Sequence, residues 1–171
     1  TGPVKGGPSN RWRVGRAMEI AQRDHEVAPG PGRSGSKVGP RTPGFGLRAD
    51  GWPQVTTVSF VADGTRIYFG TWAKSQKAQN IERDPRVSIS VTPPYTEWSS
   101  IRGLSMSGKA LRVTDAAELG RVFELMVSKF PQIGQFLKAD DVEMALYRVD
   151  PEVVSILDYT QGFGHTEAAN A

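Results

Sequence analysis

The stretch of the sequence best suited to chemistry is TWAKSQKAQN, residues 71–80, which leaves a β-rich segment and enters a helical one. Thr71, Ser75, Gln76 and Lys77 therefore gather at a predicted helix N-terminus. Such a terminus presents N–H groups that have no intrahelical acceptor, together with a partial positive charge. Hydroxyl groups and a lysine beside it suit a phosphate. An ordinary capped helix with a solvated lysine would show the same residues, so this stretch alone leaves both interpretations open.

A second unusual stretch is the C-terminal LDYTQGFGHTE, in which Gly162 and Gly164 flank Phe163 and His165 follows. One interpretation is a final turn that packs Phe163 against the domain. The other is a tail that reaches a partner subunit, where Phe163 or His165 touches a ligand, and we take His165 as the candidate substrate contact. Three tryptophans at predicted strand ends or in loops would either cover a flat aromatic ligand or cap the core: Trp52, Trp72 and Trp98.

Other classes of site lack the residues that they need. The chain has no cysteine, which excludes disulfides, zinc–thiolate sites, iron–sulfur clusters and thiol nucleophiles. Its two histidines, His25 and His165, stand at opposite ends of the chain, so we expect neither a metal site nor a catalytic triad. Neither a Walker loop nor a GxGxxG motif follows a predicted strand, which argues against the common nucleotide-binding folds.

The distribution of charge separates an N-terminal arm from the body of the chain. Residues 1–48 contain nine Lys/Arg and three Asp/Glu, a net charge of +6, whereas the whole chain carries +3. Five residues of the arm could contact nucleic-acid phosphates: Arg11, Trp12, Arg13, Arg16 and Arg23. A solvated basic helix explains them without a nucleic acid, and we favour it. No apolar run is long enough to span a membrane, so we expect a cytoplasmic protein.

The elements that position these residues follow from turn signals and periodicity. Asp50-Gly51 and Asp63-Gly64 are hairpin turns, because glycine supplies the positive φ that such turns need. Short β-rich segments predict strands over residues 45–48, 54–61, 66–71, 87–91, 104–113, 144–149 and 153–159. Asp150-Pro151 is expected to separate the last two.

Helices are predicted over residues 13–26 and 74–83, and a third after Asp115, whose spacing to Glu118 resembles a capping box. The third helix places five apolar residues on one face: Leu119, Val122, Phe123, Met126 and Phe130. Residues 28–46 are rich in glycine and proline and are expected to form a linker or surface loop, without a helix or a central strand.

These elements predict a mainly β protein in which short antiparallel strands form a small closed or split barrel with a few helices. A barrel removes the exposed strand edges that such a sheet would otherwise have. We expect two parts: residues 1–44 as a basic arm with one helix and a Gly/Pro-rich loop, and residues 45–171 as the barrel domain.

The order of several segments resembles the pyridoxamine 5′-phosphate oxidase-like superfamily. The segments are DGWPQVTTVSF, DGTRIYFGT, KSQKAQNIERDPRVSISV and, after a Trp-containing loop, GLSMSGKALRV. The resemblance covers roughly residues 45–115, and the third segment is its most specific part. The tail LDYTQGFGHT is similar to that of an uncharacterised branch of the superfamily. The resemblance implies a split barrel of the FMN-binding type and a homodimer with flavin sites at the interface.

The resemblance also implies which residues would hold the flavin. The strand after the first Asp-Gly turn would lie along the ring, and the next strand end with its helix would bind the phosphate. A loop of the other subunit would approach from the opposite side. The residues at these positions are Val55, Thr56 and Thr57; Gly70, Thr71, Ser75, Gln76 and Lys77; and Trp98 and Arg102.

The sequence departs from the oxidases of this superfamily at several positions. Thr56 and Val61 stand where those enzymes carry an arginine and a lysine, Gln76 replaces an arginine and Gly103 replaces a glutamine. The C-terminal substrate motif with its arginine and histidine is absent. These departures argue against pyridoxamine phosphate as the substrate. Fewer cationic contacts predict weaker FMN binding, a different flavin or none, since each charge-assisted hydrogen bond contributes roughly 1.5–3 kcal/mol.

The resemblance and the residues together favour an FMN-dependent oxidoreductase that acts on a small organic substrate, with the redox chemistry supplied by the flavin. One alternative is a reductase of the same fold that uses a deazaflavin coenzyme, whose acidic tail the basic arm would bind. Another is a non-catalytic protein that stores flavin or binds haem.

Overall fold

The computed structural model of the chain describes residue 15 and residues 41–136 and 143–170. Within these residues the strands are β1 (Arg41–Leu47), β2 (Pro53–Asp63), β3 (Arg66–Trp72), β4 (Arg86–Val91), β5 (Arg102–Arg112), β6 (Met144–Asp158) and β7 (Thr166–Asn170). The helices are α1 (Gln76–Arg83), α2 (Ala116–Lys129) and α3 (Ile133–Phe136), with 3₁₀ turns at Trp98–Ser100 and Tyr159–Gln161.

The strands form one antiparallel sheet that closes on itself. Their order is β3-β2-β1-β4-β5-β6-β7, and β3 also pairs with β6 from Ile67 opposite Val149 to Trp72 opposite Met144. Six strands therefore make a barrel, and β7 extends the sheet beyond it by pairing with the C-terminal half of β6. The predicted mainly β, antiparallel split barrel is confirmed.

The barrel forms because its strands alternate between an inner and an outer face. In β2, Val58 and Phe60 point inward and are buried, whereas Val55 and Thr57 point outward and are exposed. The inner faces of strands β2 to β6 supply one core, which α1 closes with Ala78 and Ile81. The predicted Asp-Gly turns are confirmed: Gly51 and Gly64 have φ values of 83° and 63°.

A second, smaller core lies between the outer face of the barrel and α2. Its buried members are Val61, Tyr68, Val113, Val122, Met126 and Phe130. Two residues of the predicted apolar face of α2 are not buried, since Leu119 is 36% exposed and Phe123 49% exposed. The helix rests on the barrel along the line of Val122 and Met126, so the side chains beside that line stay in solvent.

A polar network fastens α2 to the barrel. The Asp115 side chain accepts a hydrogen bond from the Glu118 backbone N–H at 2.8 Å and caps the helix, as predicted. The Glu118 carboxylate, however, accepts hydrogen bonds from the buried Tyr68 hydroxyl at 2.8 Å and from Arg148 at 3.1 Å. The Tyr68 hydrogen bond and the Arg148 charge hold the pKa of Glu118 below its usual range. One carboxylate thus joins α2 to β3 and β6.

Strand β1 corrects the prediction for residues 28–46, since it begins at Arg41 inside the segment that was expected to be a loop. It pairs with β2 along its whole length and, at Gly44 and Phe45 alone, with β4. Pro43 lies just outside the part that pairs on both sides, so its missing N–H is tolerated. The barrel thus starts four residues before the predicted boundary at residue 45. The predicted helix 13–26 lies outside the described residues except for Gly15, which is helical.

Strand β6 corrects the prediction that Asp150-Pro151 separates two strands. It runs unbroken from Met144 to Asp158, with a bulge opposite Ser107 and Gly108. Val149 is the last residue paired with β3 and Val153 the first paired with β7. Pro151 therefore lies between the part of β6 that pairs with β3 and the part that pairs with β7. None of the helices in the described ranges combines the length and apolarity needed to cross a bilayer.

Candidate functional site

The N-terminus of α1 carries a pair of hydroxyl groups. Ser75 is the N-cap, and its side chain accepts a hydrogen bond from the Ala78 N–H at 3.2 Å. Thr71, at the end of β3, lies with its Oγ1 3.2 Å from the Ser75 Oγ. We call Thr71 and Ser75 the hydroxyl pair. The first turn of α1 contains no acidic residue, and the N–H groups of Gln76 and Lys77 have no acceptor within the helix. This end of α1 is therefore electropositive and suited to an anion.

Lys77 stands in the first turn of α1 and points toward the mouth of the barrel. Its Nζ lies 5.9 Å from the centre of the Phe69 ring. Partial burial lowers the pKa of Lys77 below its usual value. Among the described residues no carboxylate forms an ion pair with Lys77. A half-buried ammonium without a counter-ion gains from an anion that enters its neighbourhood, because the charge is then compensated.

A buried amide relay links α1 to β2. Asn80 is 2% exposed and is the buried polar residue of the described core. It accepts a hydrogen bond from Gln76 Nε2 at 3.0 Å and donates one to Gln54 Oε1 at 2.7 Å. Since a buried amide is costly unless its hydrogen bonds are satisfied, the relay holds the first turn of α1 at a set position against β2.

The cavity inside the barrel mouth is too small for a cofactor. It is lined by Gln54, Thr56, Lys77 and Asn80 together with apolar residues, and its free volume is about 30 Å³. That volume admits one or two waters. Thr56 faces this cavity, whereas Val55 and Thr57 lie on the outer face of β2. A flavin or a haem would therefore have to bind on the outside of the barrel.

The outside of the barrel carries a groove of about 650 Å³ beside α2. Its floor includes Gly70, the residue before the hydroxyl pair, and Met144 of the neighbouring strand. A Cβ on Gly70 would lie 3.5 Å from the Met144 methyl. Gly70 and Thr71 are neighbours in β3 but face opposite sides of the sheet, since their partners Leu146 and Ala145 belong to the outer and the inner core.

The remaining predicted residues lie together at the other end of the barrel. Trp98 stacks on Phe163 with ring centres 6.3 Å apart, and Tyr159 packs on Phe163 at 5.0 Å. We call these three side chains the C-terminal aromatic cluster. Trp98 is 69% exposed and Phe163 78% exposed. Arg102 forms an ion pair with Asp158 at 3.5 Å beside the cluster.

The tail that contains His165 is a hairpin rather than a free extension. Gly162 and Gly164 have φ values of 131° and 78°, and between them they turn the chain from β6 into β7, which was not predicted. His165 Nε2 lies 3.1 Å from Glu167 Oε1. Phe163 contacts other aromatic rings and not the barrel core, so the structure does not bury it as the first interpretation expected.

The structure divides the predicted site residues into two groups. One group surrounds α1 and the adjoining strands: Val55, Thr56, Thr57, Gly70, Thr71, Ser75, Gln76 and Lys77. The other consists of Trp98, Arg102 and His165. Thr71 pairs with Ala145 and Gly103 with Leu157, twelve positions apart on β6, a path of roughly 40 Å at about 3.3 Å per residue. Within the part of the chain that the structure describes, no contact joins the two groups.

Two residues of the site escaped the sequence prediction, Gln54 and Asn80. Asn80 follows Gln76 by four positions, the spacing at which helical side chains meet, so their contact could have been found. Nothing local points to Gln54, because its contact with Asn80 depends on how α1 packs across the barrel mouth. No three or more of the Asp, Glu and His residues that the structure describes come together as metal ligands.

Comparison with solved structures finds the same fold in several bacterial proteins. A haem-binding protein from Mycobacterium smegmatis has a TM-score of 0.71 at 15% identity, over 97% of this chain and 60% of that one. A conserved hypothetical protein from Mycobacterium tuberculosis has 0.64 at 23%, over 90% and 91%. The haem storage protein HutZ from Vibrio cholerae has 0.61 at 19%, over 81% and 90%. The chain thus spans 60% of the length of the M. smegmatis protein.

Comparison of the sequence with family profiles is more specific than the shared fold. A search of curated proteins gave no significant match. Residues 47–158, however, match the sequence profile of pyridoxamine 5′-phosphate oxidase. The matched range runs from the end of β1 to the end of β6, and it includes the whole barrel wall from β2 onward, α1 and α2. The chain therefore belongs to the pyridoxamine 5′-phosphate oxidase family.

Proposed function

We propose that this protein binds FMN and acts as an oxidoreductase on a small organic substrate. The N-terminus of α1 would hold the phosphate, and the exposed outer face of β2 would accept the ring. The flavin supplies the electron transfer when it is bound. The chain's part is to hold the phosphate, to orient the ring and to admit the substrate beside it.

The observation that carries this proposal is the electropositive start of α1. The hydroxyl pair, the free N–H groups of the first turn and the uncompensated Lys77 ammonium all lie at one helix end without an acidic neighbour in that turn. Phosphate is the anion for which this combination is best suited, because it accepts several hydrogen bonds at once. Membership of the family supports the same assignment.

The outer face of β2 limits the strength of this binding. Val55, Thr57 and Ser59 are exposed there and carry no charge. The ring would thus meet apolar groups and hydroxyls, and the phosphate would rely on Lys77 and the helix end. We therefore expect an affinity for FMN below that of family members with further cations, by one to two decades for each lost charge-assisted hydrogen bond of roughly 1.5–3 kcal/mol.

The test compares FMN with riboflavin, which lacks the phosphate. Freshly purified protein is first examined for a flavin absorbance spectrum, and the affinities of both compounds are then measured by flavin fluorescence. We expect FMN to bind at least about tenfold more tightly than riboflavin, and Lys77→Met to remove most of this difference. Equal affinities for the two compounds would contradict a phosphate site.

Lys74→Met is the matched control. Lys74 lies three residues before Lys77, in the same connection, but its side chain is exposed and lies outside the barrel mouth. The control should retain the preference for FMN. A similar loss in both variants would mean that only general positive charge attracts the phosphate. A colourless protein that binds neither flavin would leave the flavin proposal without support.

Haem is the second candidate, because two proteins of the same fold are named for binding or storing it. Among the described residues His165 is the one imidazole that could ligate a haem iron, and its contact with Glu167 would orient the ring. Added haemin should then give a Soret band that His165→Ala shifts. An unchanged spectrum in that variant would remove His165 as the ligand.

A deazaflavin coenzyme is the remaining alternative within the flavin proposal. Its acidic tail would extend past α1, and its ring would occupy the same outer face. Titration with the coenzyme, followed by its own fluorescence, distinguishes it from FMN. If the protein binds the deazaflavin more tightly than FMN, the deazaflavin is the better candidate for its cofactor.

A further inference from the structure

The groove beside α2 has the size and lining of a small-molecule site. Its volume of about 650 Å³ lies within the range of roughly 300–1,000 Å³ that is usual for such sites. Leu119 and Phe123 of α2 and Met144 of β6 are exposed large apolar side chains, and all three line it. Three exposed apolar residues from two elements thus face one groove. Single exposed apolar residues scattered over a surface are common, but a group of them in one groove indicates a binding site.

Gly120 keeps the wall of this groove open. It stands inside α2, where glycine lowers helix stability relative to alanine. A Cβ at this position would meet no atom within 4 Å, so packing does not require the glycine. Gly120 lines the groove, and the absence of a side chain leaves room between Leu119 and Phe123. Packing does not explain the stability that the helix loses at Gly120, so we take this glycine to keep the groove open for a ligand.

Arg112 gives the groove one polar end. One of its guanidinium nitrogens lies 3.2 Å from Glu143 Oε1, and both side chains are substantially exposed. An exposed ion pair of this kind contributes little, so the guanidinium can turn to an anionic ligand. Thr114 adds a hydroxyl to the same lining. An apolar body with a single anionic group would match both parts of the groove.

We infer that this groove is the substrate pocket and that the substrate is a small organic acid with an apolar body. Its apolar part packs on Leu119, Phe123 and Met144, and its acid group binds Arg112. The role as a substrate pocket rests on the proposed flavin site, which begins one residue from Gly70 on the groove floor. The binding of such an acid does not depend on the flavin.

The experiment uses 1-anilinonaphthalene-8-sulfonate, which joins an apolar body to an acid group, and N-phenyl-1-naphthylamine, which has a similar body without the acid. Fluorescence titrations of the full chain give the affinity of each. Leu119→Gln should weaken both dyes about fivefold, because it removes apolar contact. Arg112→Gln should weaken the sulfonate about tenfold and leave the amine unchanged.

The same helix supplies a matched control. Leu125 is 37% exposed, almost the same as the 36% of Leu119, but it does not line the groove. Leu125→Gln should therefore leave both affinities unchanged. Gly120→Leu provides a variant that cannot fail through loss of helix stability, since leucine is a better helix former. It should keep or raise the thermal midpoint and weaken both dyes about tenfold by filling the groove.

Three results would overturn the inference. Equal effects of Leu119→Gln and Leu125→Gln would mean that the dyes bind elsewhere. A change from dimer to monomer on Leu119→Gln, measured by sedimentation, would mean that a second copy covers the groove. Competition between FMN and the dyes would mean that the groove holds the cofactor. If the dyes bind as expected but the protein binds no flavin, the groove is confirmed as a binding site for such acids and the proposed flavin function is wrong.

Discussion

At the scale of single residues, two lysines are partly removed from solvent, and they differ in what surrounds them. Lys77 is half-buried at the mouth of the barrel, where an incoming anion would compensate its charge. Lys129 ends α2, and its Nζ is buried without a hydrogen-bond partner, 5.0 Å from the centre of the Phe60 ring. Burial lowers the pKa of Lys129 to about 8. The aromatic ring compensates only part of the lost hydration.

Lys129 should therefore make stability depend on pH. Its pKa is about 8 in the folded protein and 10.5 without the fold, so between these values the unfolded chain keeps a proton that the folded chain has lost. The free energy of unfolding then rises with pH across this window. Lys129→Met should raise that free energy by about 1 kcal/mol at pH 7, and the gain should vanish near pH 10.5.

Urea unfolding at several pH values between 7 and 10.5 checks this prediction. Lys74→Met, at an exposed lysine, serves as the control and should change the free energy of unfolding at no pH. A gain for Lys129→Met that stays constant across the window would show that the ammonium is already compensated in the folded protein. A loss of stability would show that the ring contact outweighs the desolvation.

At the scale of elements, the long strand β6 depends on a glycine in its neighbour. β5 pairs with β6 along its whole length, and the register shifts between Ser107 and Gly108, opposite the bulge. Backbone atoms crowd Gly108 at this point: a Cβ there would lie 2.2 Å from the Asp150 carbonyl oxygen. The glycine thus lets β5 stay paired with Asp150 and Pro151 next to the bulge, in which Glu152 has no partner on β5.

Gly108→Ala should be strongly destabilising, because the carbonyl that meets the new methyl belongs to a paired strand and cannot move away. We expect the free energy of unfolding to fall by about 3 kcal/mol. Gly103→Ala in the same strand is the control. Its nearest neighbour would be the Thr92 hydroxyl at 3.4 Å, a side chain that can shift. Chemical denaturation of both variants makes the comparison, and equal losses would contradict the role of the bulge.

At the scale of the whole molecule, the two groups of site residues lie at opposite ends of β6. The hydroxyl pair and Lys77 are near its N-terminal end, and the C-terminal aromatic cluster is near its C-terminal end. In the described residues of one subunit no contact joins the two groups. We propose that both groups serve one flavin in a homodimer in which the exposed Trp98 and Phe163 of one subunit approach α1 of the other.

A mixed dimer tests this arrangement. Lys77→Met and Trp98→Ala should each weaken FMN binding when every subunit carries the change. Subunits carrying different changes should together rebuild one intact site, because one site then takes both wild-type groups. We expect co-expression with two affinity tags to recover about half of the wild-type FMN content in the isolated mixed dimer. If the mixed dimer recovers no FMN, then either both residues belong to a site within one subunit or Trp98 lies outside the site.

The sequence by itself determined the local features of this protein. Both Asp-Gly turns and the cap of α2 form where they were predicted, and strands β2 to β5 do so to within two residues, because each depends on contacts a few residues apart. The order of these segments also led to the family. The hydroxyl pair belongs to this group, since Thr71 and Ser75 are separated by four positions at a strand–helix junction.

The tertiary structure decided what depends on register and packing. Closure of the barrel places Thr56 inside and Thr57 outside, and it brings Gln54 to Asn80. Pairing with β6 makes a strand of the weakly β-forming β7. The seating of α2 buries Lys129 and leaves Leu119 and Phe123 over the groove. Each of these outcomes joins residues that are distant in the chain, and local propensity carries no information about such contacts.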